Sequence, residues 1–150
     1  YTLIFIGMGL LGNQFFLRWM QPDLSVSLWA MNALMVLFIL ATQALALFLY
    51  SVFPVLALVI SAVSMVGSLG ATLSGVTFPV VFMDTPVYVV SFLFPIRHFV
   101  EAEQTLLYLH GSFADCWMSV VSLLLFLLPP LLLLPRLKSV LIRNNDETGE

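Results

Sequence analysis

Charge is what this chain lacks most. Only 9% of its 150 residues are Asp, Glu, Lys or Arg, against about 25% in soluble globular domains. From Leu24 to Met83 there is no charged side chain in sixty residues, and Pro54 breaks that run near its middle. The single lysine, Lys138, has no G-x-x-x-x-G run before it, so ATP phosphates cannot be cradled in that way. The motifs G-x-S-x-G, H-E-x-x-H and C-x-x-C are missing too. One cysteine, Cys116, excludes an internal disulfide. With no activating base beside it, it reads as a small apolar residue near a helix start. His98 and His110 stand too isolated for a metal site, and no cofactor is expected. A net charge of −3 without a basic patch argues against a nucleic-acid partner.

What the chain has is apolar length. Hydrophobic residues make up 61% of it, and the mean hydropathy is +1.09. A helix rises ~1.5 Å per residue and the hydrocarbon core is ~30 Å thick, so about twenty residues cross it. The uncharged run is long enough for two crossings with a turn around Tyr50 to Pro54. The chain is therefore read as an integral membrane protein surrounded by lipid. It opens at Tyr1 inside an apolar segment without a basic n-region, which reads as the C-terminal part of a longer protein rather than a signal peptide.

The expected fold class is all-α: a polytopic bundle with crossings at about 1–19, 25–50, 55–78 and 113–134. The first segment holds Gly7, Gly9 and Gly12, then Asn13, Gln14 and Arg18, and Pro22 and Asp23 make the turn. In the second, Asn32 and Gln43 share a face, about three turns apart. They suit interhelical hydrogen bonds worth ~1 kcal/mol each, or a polar patch lining a path. In the third, Ala57, Ser61, Ser64, Ser68, Ala71 and Gly75 recur at spacings of four and three. That stripe of small residues lets another helix approach closely. The last segment opens with a Ser112–Asp115 capping-box variant, and Pro129 and Pro130 should kink it near its far end. Residues 144–150 form a polar tail, expected to be disordered.

The stretch 79–111 differs. It carries Pro79, Pro86 and Pro95 and four charges, yet is apolar between them. Asp84 or Thr85 can cap a helix with Pro86 in its first turn. The following residues 87–94 reach only ~12 Å as a helix, too short to cross. After Pro95, Arg97, Glu101, Gln104, Thr105 and Tyr108 share one helix side, and Ile96, Phe99, Val100 and Leu107 the other. Arg97 and Glu101 are spaced as an i,i+4 ion pair, while Glu103 leans to the apolar side. Two short helices joined at a proline between full crossings read as a re-entrant hairpin. Four crossings place the tail with Arg136, Lys138 and Arg143 opposite Arg18 and Arg97. Positive-inside then makes the tail cytoplasmic by one charge.

SGVTFP (residues 74–79), then Met83 and Pro86, then Phe94-Pro95-Ile96-Arg97-His98-Phe99-Val100-Glu101, resemble the C-terminal signature of ABC-2 type transporter permeases. The likeness runs in order and spacing along essentially the whole chain. It departs at Gln104-Thr105, where the family often has Arg-Gly, and at Met83-Asp84-Thr85-Pro86, where it often has Met-Pro. What the resemblance implies is the membrane subunit of an ATP-binding-cassette exporter, with these crossings the third to sixth of six. It also implies a bacterial inner (plasma) membrane, a cytoplasmic C-terminus, an ABC ATPase partner, and pairing with a second permease subunit as homo- or heterodimer. The chain itself is then no enzyme, since hydrolysis belongs to the partner. Gate candidates in the hairpin region are Ser74, Gly75, Pro79, Pro86, Pro95, Arg97 and Glu101. A non-transporting membrane scaffold or assembly protein is the alternative, predicting no cavity between subunits. A channel or secondary carrier fits less well, because no ionisable residue lies mid-crossing.

Overall fold

The computed structural model describes residues 1–20, 28–53, 55–107 and 113–133. Of these, 86% are helical and none is in a strand. The order is α1 (Thr2–Met20), α2 (Leu28–Val52), α3 (Leu56–Leu73), α4 (Thr85–Ser91), α5 (Pro95–Leu107), α6 (Trp117–Leu125) and α7 (Leu128–Leu132). A 3-10 turn at Val80–Phe82 precedes α4, and another at Phe113–Cys116 leads into α6. The turns at Pro22–Asp23 and Pro54, the capping residue Ser112, and the basic stretch and tail after 133 lie outside the described residues.

Among the described residues, three stretches are long and apolar enough to cross a membrane: Leu28–Val52, Leu56–Leu73 and Phe113–Leu132. The chain is thus an integral-membrane type of helical protein. The expected fourth crossing, α1, is not among them. It has 19 residues, but Asn13, Gln14 and Arg18 in its second half dilute its apolar character. The third crossing also ends earlier than expected, at Leu73 rather than near residue 78. Ser74 is its C-cap, and Gly75 turns the chain out at φ +97°, a backbone conformation only glycine adopts without strain. The last crossing is interrupted near its far end by a two-residue turn, Phe126 and Leu127, whose backbone stays in the right-handed helical region. Pro129 and Pro130 have no N–H to give to the preceding turn, so α6 ends at Leu125 and α7 restarts with Pro129 in its first turn.

The core gathers on α2, α5 and α6. Met31, Leu34 and Ala41 of α2, Ala102 and Leu106 of α5, and Cys116 and Leu123 are buried together. Phe38 of α2 stacks on Phe99 of α5 with ring centroids 4.6 Å apart. The side chains turned away from this core are mostly large and apolar, as Phe15, Trp19, Leu56, Met65 and Leu132 are, which suits lipid better than water.

Short helices occupy residues 80–107 of the 79–111 region, and residues 108–111 lie outside the described ones. Asp84 takes the N-cap position of α4, but no side-chain hydrogen bond is made there. Its carbonyl accepts the Tyr88 N–H at 2.9 Å instead. Residues 92–94 form a tight turn, and Pro95 opens α5 where its missing N–H costs nothing. The Arg97–Glu101 ion pair that the i,i+4 spacing allows is not formed. Arg97 is buried, only 4% exposed, and points back to α3.

Candidate functional site

The C-terminal end of α3 meets α4, α5 and the turn between them at one junction. Gly70 faces Phe94 and Ile96 so closely that a Cβ there would stand 3.1 Å from the Phe94 ring and 3.2 Å from Ile96 Cγ2. One turn on, the buried Ser74 hydroxyl donates to the Ala71 carbonyl at 2.8 Å and accepts the Val76 N–H at 3.3 Å. This local turn carries the chain into Gly75. Arg97 Nη1 donates to the Ser74 carbonyl at 3.4 Å. A Cβ on Gly75 would lie 3.0 Å from Val80 Cγ2 and 3.2 Å from that same Arg97 nitrogen.

The electrostatics follow from this placement. A helix C-terminus carries partial negative charge on its free carbonyls, and Arg97 sits against those of α3. Tyr88 of α4 and Phe92 of the turn after it add their ring faces, 5.9 and 6.0 Å from the guanidinium carbon. Each is worth about 0.5–2 kcal/mol. The Arg97 Nε still has no hydrogen-bond partner among the described residues. The junction therefore holds a buried cation by a carbonyl and two aromatic rings, with no carboxylate. Its neighbour His98 is buried too, and its Nε2 lies 3.0 Å from the Phe92 carbonyl. That contact requires the proton on Nε2.

Ser74, Gly75 and Arg97 thus come together, with Pro95 buried close by in sequence at the hinge. Pro79 and Pro86 are exposed and shape only their own turns. Glu101 is half-buried and offers its backbone carbonyl to the Thr105 hydroxyl at 2.9 Å. Tyr88 and Phe92 escaped the sequence reading. The signal was an aromatic i,i+4 pair just ahead of Pro95, which without a fold reads as lipid-facing.

Asn32 and Gln43 are both tied to α1. Asn13 Nδ2 donates to Asn32 Oδ1 at 3.0 Å, with Gln14 Nε2 at 3.5 Å from the same oxygen. The Thr2 hydroxyl donates to Gln43 Oε1 at 2.9 Å. Apolar grooves run beside these bridges, one of about 470 Å³ past Gln43, Phe5 and Met35, another of about 570 Å³ past Asn32, Trp29 and Phe113.

The small-residue stripe of α3 is left open among the described residues. Ala57, Ser61, Ser64, Ser68 and Ala71 are all exposed. The face that packs inward holds Val59, Ala62, Val66, Gly70 and Leu73, on the opposite side of the helix. Comparison with protein-family profiles, with curated proteins and with solved structures gave no match.

Proposed function

We propose that this chain is the membrane-spanning permease part of an ATP-binding-cassette exporter, which moves substrate by alternating access driven by a separate ATPase subunit. The observation that carries the reading is the junction itself. The two motifs behind the family resemblance lie apart in sequence, yet Ser74 of one and Arg97 of the other are in hydrogen-bond contact. The order of elements also supports it: long apolar helices, a glycine turn, a proline-hinged pair of short helices, then a last apolar stretch.

In this reading α1, α2, α3 and the final stretch cross the bilayer, and α4 and α5 dip in from the outer face as a gate. The C-terminus is cytoplasmic in a bacterial inner membrane. The open small-residue face of α3 is where the second permease subunit packs, since small side chains let helices approach in lipid. Nucleotide binding closes the ATPase pair and rocks the two bundles. The full-length protein is then expected to co-purify with an ATPase, and its export activity to stop when ATP is depleted. Association with no ATPase, together with export indifferent to ATP, would overturn the proposal.

A further inference from the structure

A second polar feature lies beside the α3 turn. Phe16 of α1, Gly75 and Val76 of the turn, and Val100, Glu103, Gln104 and Leu107 of α5 line a half-open pocket of about 320 Å³, with Phe16, Val76 and Gln104 on its exposed rim. The α5 members follow an i, i+3, i+4, i+7 pattern, so one face of that helix lines it. Its size is at the small end for ligand pockets, ~300–1,000 Å³. The walls are apolar except for one carboxylate and one amide.

Glu103 is half-buried, and burial pushes its carboxyl above the usual carboxylate range. No basic side chain among the described residues pairs with it: Arg97 is turned to Ser74, and Arg18 is exposed on α1. A half-buried carboxylate without a counter-ion interacts with an incoming cation more strongly than one in water does. Glu103 is the one charged side chain among the lining residues, and the Arg97 guanidinium sits behind the Gly75 wall, held to the Ser74 carbonyl. A metal ion needs four or more ligands, and no cluster of three metal-ligating side chains occurs among the described residues. An ammonium group fits better. It brings several N–H donors for the carboxylate and the Gln104 carbonyl. Phe16 offers an aromatic wall of the kind that attracts cations, and Val76, Val100 and Leu107 suit an apolar body.

We propose that this cavity binds a small organic ammonium, with Glu103 as its counter-ion. The site stands on the geometry of α1, the turn and α5, and is independent of the exporter reading. The source of the ammonium is either a free amine or a lipid headgroup. The test uses the full chain in dodecyl maltoside micelles, which carry neither charge nor amine, with calorimetric titration of 2-phenylethylamine. One amine per chain is expected, at least tenfold tighter than the neutral 2-phenylethanol or the anionic 3-phenylpropanoate. Glu103→Gln keeps the shape and should weaken the amine at least tenfold. Val100→Trp, which fills the cavity while keeping the carboxylate, should do the same, and Asp84→Asn should leave binding unchanged. Equal binding of amine and alcohol, undiminished binding to Glu103→Gln, or no amine binding would overturn the site. Competition by dihexanoyl phosphatidylethanolamine alone identifies a headgroup as the natural ligand, and competition by neither lipid identifies a free amine. Equal competition by dihexanoyl phosphatidylglycerol would remove the ammonium requirement and with it the proposal.

Discussion

Two helices of this chain look alike in composition and differ in how they pack. Both α2 and α3 are uncharged and apolar enough to cross a membrane. Yet α2 is the hub: it packs on α1, α3, α5, α6 and α7, buries Met31, Leu34 and Ala41, and is pinned to α1 by Asn32 and Gln43. By contrast, α3 buries only Val59 and Gly70 among its residues, and its C-terminal end is held by α4 and α5. Hydropathy says which solvent a helix tolerates. Where it packs is decided by polar bridges and by the positions where backbones can approach.

The sharpest way to break this contrast is a pair of truncations. Leu34→Ala on α2 opens a cavity at a side chain only 1% exposed, and should cost about 2–5 kcal/mol in thermal unfolding of the purified chain. Leu58→Ala on the exposed side of α3 should stay within about 0.5 kcal/mol. Comparable losses would mean that α3 is packed after all.

The junction comes next. Gly75→Val places a branched side chain at a positive φ, against Val80 and Arg97. It should cost about 1–3 kcal/mol and expose the α4–α5 hairpin to limited proteolysis, while digestion of the α1–α2 pair is unaltered. Asn32→Leu removes the acceptor shared by Asn13 and Gln14 and should cost about 1 kcal/mol. Lost disulfide trapping between cysteines placed at Met8 and Met35 would report the separation of α1 from α2.

The smallest effect is a slope. Glu103's carboxyl is raised from its ordinary 4.5 by burial, so above pH 4.5 the folded chain holds a proton that the unfolded chain has released. Stability then falls as pH rises from 4.5 through the raised value. Glu103→Gln should remove that fall, matching the parent below pH 4.5 and exceeding it at neutral pH. Unfolding midpoints across pH 4 to 8 measure it.

Much of the helical layout was legible because proline and glycine act locally. Pro95 has no N–H to give, so a helix had to begin there. Pro129 and Pro130 had to interrupt the last stretch, and the polar residues Asn32 and Gln43 sat at helix-face spacing. The site was legible only in part. Arg97 and Glu101 satisfy the i,i+4 rule, but the guanidinium's partner is a backbone carbonyl 23 residues upstream, and carbonyls leave no mark in a sequence. The small-residue stripe of α3 was visible, yet its partner was not. The inward face of the same helix carries larger residues around Gly70, whose single missing Cβ decides how near the hairpin comes. Glu103 stood out as a lone acid on an apolar side. The cavity it faces depends on Phe16 and Val76, which no local pattern links to it.

The central claim is that α4 and α5 enter and leave the bilayer on one face, opposite the chain's C-terminal end. Single cysteines at Asp84 and at Thr148, in a Cys116→Ser background, test it with a membrane-impermeant thiol reagent on intact cells. The account predicts that Asp84→Cys reacts at once and that Thr148→Cys reacts only after permeabilisation. Labelling of both positions from the same side would contradict it.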